Sequence, residues 1–276
     1  MAKVTTLKVQ EMKDRGEKIT MTTAYDYATM CVVERAGIEI VLVGDSLMMT
    51  VMGQDSTVPC TMEIMIHHIR AVMAGAKDAL VVGDLPFGSY NVSPQQAVES
   101  ANRLMKEGGC DCVKLEGGVE MAPVVKAIVD SGTPVFGHVG LTPQTTSKMG
   151  GFKVQGKGEA AEAVLQDALA IEGAGAFAIV LEGIPEALGK LITKKLRIPT
   201  IGIGAGRYTD GQVLVFHDML GFFDKFVPKF VKQYLHLNEE IVRALGTYKD
   251  EVKDGRFPTE EHVFAGVTDE ELSRLY

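Results

Sequence analysis

The stretch Cys112-Val113-Lys114-Leu115-Glu116-Gly117-Gly118 sets the pattern that the rest of the chain repeats. Side chains alternate between the two faces of a strand, so Lys114 and Glu116 share one face and the apolar residues beside them share the other. Burying a cation and a carboxylate on an inward face costs free energy unless the charges are paired, so such residues usually have partners or a role in binding or catalysis. We therefore predict a strand that carries functional residues at its carboxyl end.

Seven further short apolar stretches are also predicted to be strands, and segments of helical periodicity separate them. The predicted strands are, in order, residues 17–23, 38–46, 79–86, 112–118, 133–140, 176–183, 199–206 and 212–219. Eight such repeats in a chain of 276 residues favour a (β/α)₈ barrel of the TIM type over an open doubly wound sheet. No G-x-G-x-x-G follows the first strand, which removes the main support for a dinucleotide-binding fold.

We predict a single domain spanning residues 1–276, with the barrel strands between about 17 and 219. A short helix over residues 5–16 precedes the barrel, and a polar helix and tail follow it from about residue 229. The loop over residues 141–156 is long and polar. Connections of this kind in a compact domain are usually lids or binding loops, so we expect this loop to serve the site.

The composition is that of a globular protein, with 46% hydrophobic and 23% charged residues. A net charge of −8 argues against non-specific binding to nucleic acid or to anionic membranes. No run approaches the roughly 20 apolar residues of a membrane span, and no signal or transit peptide is expected. The four cysteines have no metal-site or redox spacing, so we expect buried thiols in a reducing, cytoplasmic setting.

Polar residues recur at the carboxyl ends of the predicted strands, where barrels of this class carry their chemistry. They are Asp45, Ser46, Asp84, Lys114, Glu116, His138 and Glu182. On three strands the alternation predicts an inner face that is apolar and ends in an acid. The three sets are Val41, Val43 and Asp45; Leu80, Val82 and Asp84; and Ala178, Val180 and Glu182.

Residue type suggests a role for each of these groups. Three acids on consecutive strands, without a cysteine, favour Mg²⁺ or Mn²⁺ over zinc. Lys114 can neutralise a carboxylate or an enolate of a substrate, and Glu182, two strands from the other acids, is assigned to proton transfer. His138 is either a hydrogen-bond donor to the substrate or a satisfied histidine of the barrel interior. The three predicted metal ligands are Asp45, Asp84 and Glu116.

The chain resembles the ketopantoate hydroxymethyltransferase family over nearly its whole length, from TAYDYA at Thr23 to FPTEEH at Phe257. The motifs that carry the resemblance are GDSLMM, GQDSTVP, GDLPFGSY, VKLEGG, GHVGLTPQ, GFKVQGK, IVLEGIP, IGIGAG and DGQVLVFHDMLG. The resemblance implies a (β/α)₈ barrel in a large homo-oligomer, commonly a decamer of two rings. It also implies one Mg²⁺ per subunit and transfer of a hydroxymethyl group from 5,10-methylenetetrahydrofolate to 3-methyl-2-oxobutanoate. The product would be 2-dehydropantoate, on the route to pantothenate.

The resemblance also assigns roles to matching positions of this sequence. It makes Glu182 the catalytic base, and it places the metal on Asp45, Asp84 and Glu116. The residues that it implies for keto-acid binding are Asp45, Ser46, Asp84, Lys114 and His138. Two positions depart from the family pattern, since Met48 stands where Gly is usual and Gly183 where Cys is common. Neither departure removes a proposed chemical group.

Two other interpretations compete with this one. Enzymes of the isocitrate lyase and phosphoenolpyruvate mutase type also place acids around Mg²⁺, but they are expected to carry a catalytic Cys or an additional Arg. The loop after the fourth strand has no Cys, and Arg207 is the only Arg near a late strand end. A non-catalytic binding or scaffold protein would be expected to lack at least one acid or the Lys at the rim, and all are present.

Overall fold

The computed structural model describes residues 2–223 and 225–275, apart from the side chain of Met149. Eight strands form a closed barrel in sequence order, each parallel to its two neighbours, and the last pairs with the first. The predicted (β/α)₈ fold is thereby confirmed. The strands are β1 Ile19–Thr23, β2 Ile40–Val43, β3 Leu80–Asp84, β4 Cys112–Lys114, β5 Val135–Gly140, β6 Ala178–Glu182, β7 Thr200–Ile203 and β8 Gly211–Leu214.

Helices alternate with these strands, and several start where the sequence provides a cap. The side chain of Ser93 accepts a hydrogen bond from the backbone N–H of Gln96, with a proline in the first turn of the helix, as predicted. The α-helices are α1 Thr6–Asp14, α2 Tyr27–Arg35, α3 Leu47–Thr50, α4 Met62–Met73, α5 Pro94–Arg103, α6 Ala122–Asp130, α7 Thr146–Met149, α8 Ala160–Gly173, α9 Glu186–Lys195, α10 Phe216–Met219, α11 Leu237–Lys253 and α12 Asp269–Leu272. Shorter helical turns are the π-helix Leu104–Gly108 and the 3₁₀ turns Val119–Met121, Pro143–Thr145 and Glu260–His262.

Two apolar layers hold the barrel together, one inside the strands and one between strands and helices. On β3, for example, Leu80 and Val82 belong to the inner layer and Val81 to the outer one. Asp84 therefore ends the inner face of β3, as predicted. The same alternation on β6 places Ala178 and Val180 inside. The inner residues of the two strands thus lead to Asp84 and Glu182 at the same end of the barrel.

Strand β2 does not follow the predicted alternation. Its inner residues are Ile40 and Leu42, whereas Val41 and Val43 pack in the outer layer. The prediction that Asp45 shares an inward face with Val41 and Val43 is therefore wrong. Because β2 ends at Val43, Asp45 lies in the turn beyond the strand, where strand alternation no longer sets the direction of a side chain.

The last predicted strand is also shorter than expected. Residues 212–219 were predicted to be extended, but β8 ends at Leu214 and helix α10 begins at Phe216. The backbone N–H of Phe216 donates to the hydroxyl of Thr23 at 3.1 Å, and this bond turns the chain out of the sheet. The turn brings His217 and Asp218 to the carboxyl end of the barrel.

Helix α1 covers the opposite end of the barrel. Val9 and Met12 are buried in the inner apolar layer, and Lys13 Nζ donates to Ile198 O and Asp210 Oδ2, each at 2.9 Å. Burying the two apolar side chains contributes about 1.5–3 kcal/mol each relative to exposure. Within residues 2–223 and 225–275, no helix is long and apolar enough to cross a membrane.

Candidate active site

A buried ion pair lies at the carboxyl ends of β3 and β4. Lys114 Nζ is 2.7 Å from Asp84 Oδ1 and 3.8 Å from Glu116 Oε1, and all three residues are at most 4% exposed. Burial alone would lower the pKa of Lys114, but the carboxylates of Asp84, Glu116 and Asp45 together raise it. Lys114 is therefore a fixed cation at the base of the site.

The backbone after β4 explains why two glycines follow Glu116. Gly117 has φ +128°, a value that side-chain-bearing residues rarely adopt. Gly118 packs so closely against Asp167 that a Cβ would not fit, and Asp167 Oδ1 accepts the N–H of Val119 at 3.0 Å. Although β4 ends at Lys114, the N–H of Gly117 still donates to His138 O at 3.0 Å. The two strand ends therefore hold Glu116 close to His138.

Asp45 joins this group from the turn after β2. Its backbone N–H donates to Asp84 Oδ2 at 3.3 Å. Burial raises the pKa of the Asp45 carboxyl well above its usual range, and the charges of Asp84 and Glu116 raise it further. The next residue, Ser46, shares a hydrogen bond of 2.8 Å with the hydroxyl of Tyr25. Asp45, Asp84 and Glu116 therefore lie together at the carboxyl end of the barrel, and their role as metal ligands stays a prediction.

Gln144, which the sequence analysis did not single out, connects two of these acids. Its Nε2 donates to Asp45 Oδ2 at 2.9 Å, and its backbone N–H donates to Glu116 Oε2 at 3.1 Å. Tyr90 in turn donates its hydroxyl to Gln144 Oε1 at 2.6 Å. Gln144 belongs to the loop that was predicted to serve the site, and both it and Tyr90 lie in quoted motifs. Their role depends on contacts between distant segments, which a local pattern does not reveal.

His138 stands between two carboxylates on β5. Its Nδ1 is 3.5 Å from Glu116 Oε1 and its Nε2 is 3.2 Å from Glu182 Oε2, although neither contact has hydrogen-bond geometry. Burial lowers the pKa of the imidazole, but Glu116 and Glu182 outweigh it and raise the pKa to about 9. His138 is therefore a cation at neutral pH and faces both acids.

Glu182 is the last residue of β6 and the most open of the acids. Its side chain is 15% exposed, against 2% for those of Asp84 and Glu116. The adjoining Gly183 has φ +57°, a backbone conformation that glycine adopts more readily than residues with a side chain. Met48, the other departure, is buried in the outer apolar layer. Neither residue disturbs the acids.

The charges at the strand ends do not balance. Four carboxyl groups face two cations, so the full ionisation of all groups leaves an excess of two negative charges. The excess negative charge also affects Asp84. Burial raises the pKa of its carboxyl, Lys114 lowers that pKa, and Glu116 raises it. The acids are Asp45, Asp84, Glu116 and Glu182, and the cations are Lys114 and His138.

Oxygen donors with an excess of two charges fit a hard divalent cation. No three His, Cys, Asp or Glu side chains within residues 2–223 and 225–275, however, form a group that could hold a metal ion by themselves. Lys114 donates to one oxygen of Asp84, and Gln144 donates to one oxygen of Asp45 and one of Glu116. Bound metal would need further ligands or small shifts of these side chains.

The remaining histidines lie away from the acids, with one exception. His67 and His68 are on α4, where His68 Nδ1 contacts Tyr25 O at 2.6 Å. The exception is His217, to which the sequence analysis gave no role. It is buried at the carboxyl end of the barrel, in contact with the aromatic ring of Tyr25.

Comparison with known proteins gives a consistent picture. The model of the family described as ketopantoate hydroxymethyltransferase matches residues 3–260. A 3-methyl-2-oxobutanoate hydroxymethyltransferase of Heliobacterium modesticaldum is 56% identical over 275 residues, which are 99% of this chain and 99% of the relative. Among solved structures, phosphonopyruvate hydrolase has a TM-score of 0.63 at 13% identity, covering 100% of this chain and 95% of its own. A 2,3-dimethylmalate lyase of the PEP mutase/isocitrate lyase superfamily has a TM-score of 0.59 at 14% identity, covering 98% and 94%. These two structures share the fold.

Proposed function

This chain belongs to the ketopantoate hydroxymethyltransferase family, and on that premise we propose that it transfers a hydroxymethyl group from 5,10-methylenetetrahydrofolate to 3-methyl-2-oxobutanoate. The products would be 2-dehydropantoate and tetrahydrofolate, with one water consumed. The observation that carries the proposal is the buried Lys114, which lies beside the acids and on the same rim as Glu182 and His138. The rim combines a charge that binds a carboxylate with a separate acid–base pair.

The keto acid would bind at the base of the site. Lys114 would hold its carboxylate, assisted by the hydroxyl of Ser46, which Tyr25 orients. The excess negative charge supports Mg²⁺ as the resident ion. Mg²⁺ would draw electron density from the keto oxygen and make the neighbouring C–H more acidic. Water and the substrate would supply the oxygen ligands not provided by Asp45, Asp84 and Glu116.

Glu182 would act as the base in the first chemical step. Its carboxylate accepts the proton from the tertiary carbon next to the keto group, and the electron pair left on that carbon forms the bond to the one-carbon unit. His138 is cationic at neutral pH, and its Nε2 lies 3.2 Å from Glu182 Oε2, so its charge attracts this carboxylate. A positioned base of this kind contributes roughly 10²–10⁴-fold to the rate.

The competing interpretation, an enzyme of the isocitrate lyase and phosphoenolpyruvate mutase type, is supported only by the shared fold. The lyase and hydrolase structures are 13–14% identical to this chain, whereas the relative named as a hydroxymethyltransferase is 56% identical. A non-catalytic scaffold is also a poor match, because five buried charged groups without a function would lower stability.

A coupled assay tests the proposed reaction directly. The purified chain is incubated with 3-methyl-2-oxobutanoate and 5,10-methylenetetrahydrofolate, with Mg²⁺ or with excess chelator, and 2-dehydropantoate is quantified by mass spectrometry. We expect product formation that depends on Mg²⁺. Absence of product in every condition, together with turnover of phosphonopyruvate or dimethylmalate, would favour the competing interpretation.

We further propose that the chain forms a homo-oligomer, a decamer by analogy with its family, in the cytoplasm. Helix α11 supports self-association, since none of its 17 residues is buried. It carries an apolar stripe at helical spacing that is 46–63% exposed, formed by Val242, Leu245, Tyr248 and Val252. Four free cysteines agree with a reducing compartment. Light scattering after size-exclusion chromatography would give the number of subunits.

A further inference from the structure

Three aromatic rings are stacked beside the acids at the carboxyl end of the barrel. The ring of His217 lies between Tyr25, at 5.5 Å and 30°, and Phe222, at 5.3 Å and 14° between the planes. Tyr25 is fully buried, whereas Phe222 is 43% exposed. The N–H of Phe222 donates to His217 O at 2.8 Å, which fixes the backbone of the outermost ring. The outermost ring of the stack is therefore partly exposed to solvent.

Stability of the fold does not explain why a histidine occupies the middle of the stack. Its Nδ1 is buried without a hydrogen-bond partner in the described part of the chain, and burial lowers the pKa of the ring. A buried polar atom without a partner costs free energy, and such atoms are uncommon in native proteins. An aromatic residue without nitrogen could fill the same space at a lower cost.

Asp218, the next residue, carries a carboxylate with spare acceptors. Burial raises its pKa to about 6, and no hydrogen bond or ion pair reaches its side-chain oxygens within residues 2–223 and 225–275. Asp210, a few residues earlier, shows the usual arrangement, because Lys13 and the backbone and hydroxyl of Thr200 all donate to it. A partly buried carboxylate without a partner is free to accept N–H groups from a ligand.

The stack and this carboxylate adjoin the proposed keto-acid site. The hydroxyl of Tyr25 bonds Ser46 Oγ at 2.8 Å, and Ser46 is next to Asp45. The charge of Asp218 contributes to a raised pKa of the Tyr25 phenol, so the two side chains are close. Tyr25 therefore lies near both the Asp218 carboxylate and the turn that carries Asp45.

We propose that Asp218 and the outer face of Phe222 bind the flat ring of the one-carbon donor, with His217 and Tyr25 as a rigid support. The identity of the ligand rests on the proposed function, since the pteridine of a tetrahydrofolate carries adjacent ring and amino N–H groups along one edge. Two such donors match the two oxygens of a carboxylate, and the planar part of the ring matches an aromatic face. The keto acid has neither feature, so the patch adds a second subsite to the one beside Lys114.

Equilibrium binding of tetrahydrofolate, measured by calorimetry on the full chain without keto acid, tests this subsite. We expect D218N to raise the Kd about tenfold to a hundredfold, because a charge-assisted pair of hydrogen bonds is lost. We expect F222A to raise it about tenfold through lost stacking. F226A is the matched control, because Phe226 is 69% exposed in the same segment but belongs to no ring stack in the described chain. Its Kd should equal that of the parent.

The outcomes separate the subsite from the proposed reaction. If the parent binds tetrahydrofolate and both variants bind it equally well, the subsite is refuted even when the parent turns over. If the parent binds no tetrahydrofolate, the proposed ligand is wrong. If D218N weakens the binding of 3-methyl-2-oxobutanoate as much as that of tetrahydrofolate, Asp218 serves the keto acid and the inference also fails. A parent that binds tetrahydrofolate through Asp218 but forms no product would refute the proposed reaction and leave the subsite in place.

Discussion

Replacing Lys114 with methionine removes the one lysine charge among the buried acids while keeping a side chain of similar length. In the parent, Nζ lies 2.7 Å from Asp84 Oδ1 and 3.8 Å from Glu116 Oε1, with 4% of the lysine side chain exposed. Removing one partner of a buried ion pair typically costs about 3–5 kcal/mol, because the other charge is left uncompensated. We expect K114M to lose that much free energy of unfolding at pH 8 in the presence of a chelator.

The loss should depend on pH in a defined direction. Burial already raises the pKa of Asp84 in the parent, and without Lys114 it must rise further. A carboxyl whose folded pKa exceeds its unfolded value, about 3.9 for Asp, stabilises the fold most at low pH and loses this contribution as pH rises through the folded pKa. The variant should therefore be closer to the parent at pH 5 than at pH 8.

Urea unfolding followed by circular dichroism at both pH values measures the effect. The matched control is K126M, because Lys126 forms an ion pair of the same kind with Asp130 at 2.9 Å, but both side chains are at least 60% exposed. An exposed pair is worth about 0–1 kcal/mol, so this control should unfold nearly as the parent does. If K114M lost no more stability at pH 8 than K126M, the view of Lys114 as the compensating charge of the site would be refuted.

Four further predictions concern the chemistry of the site. D84N and E116Q should each raise the Kd for Mg²⁺ and for 3-methyl-2-oxobutanoate about tenfold or more in calorimetry, and unchanged constants would remove them from the proposed metal site. E182Q should still bind the keto acid but exchange its C3 proton for deuterium in D₂O about 10²–10⁴-fold more slowly, as followed by NMR, and exchange at the parental rate would show that Glu182 is not the base. Since Glu116 and Glu182 raise the pKa of His138 to about 9, turnover should decline as pH rises through about 9, and H138Q should lack that limb. Q144L should weaken Mg²⁺ binding while leaving the barrel folded, because Gln144 fixes one oxygen of Asp45 and one of Glu116; Mg²⁺ affinity equal to that of the parent would show that this bridge does not matter.

The order and pairing of the eight strands could be predicted because each repeat is a local pattern. An apolar run, a glycine or proline boundary and a helical period are all present within a few residues, and parallel strands joined by helices close in sequence order. The alternation also placed Asp84 and Glu182 correctly, since both end regular strands. It failed for Asp45, which lies two residues beyond the end of β2, where turn geometry directs the side chain.

Gln144 and His217 show a second limit of sequence reasoning. Gln144 reaches Asp45 across 99 residues of chain, and Tyr25 meets His217 across 192 residues, where β1 pairs with β8. Such contacts follow from the closure of the barrel, which brings distant loops to one rim. A pattern read along the chain gives no information about which loop residues meet after closure.

Helix α1 has a consequence for the order of events during turnover. Because apolar side chains fill the barrel interior and helix α1 covers its far end, reactants can approach only from the carboxyl end, where Lys114 is buried and Glu182 and Phe222 are more exposed. When two reactants enter a site from the same side, the one bound nearer to solvent blocks the entry and release of the one bound deeper. On the proposed reaction, the keto acid would bind before the folate, and 2-dehydropantoate would leave after the folate. Turnover should therefore follow an ordered scheme, in which accumulated 2-dehydropantoate competes with the keto acid for the free enzyme and spent tetrahydrofolate departs first. Tetrahydrofolate that binds the free enzyme should form a dead-end complex that excludes the keto acid.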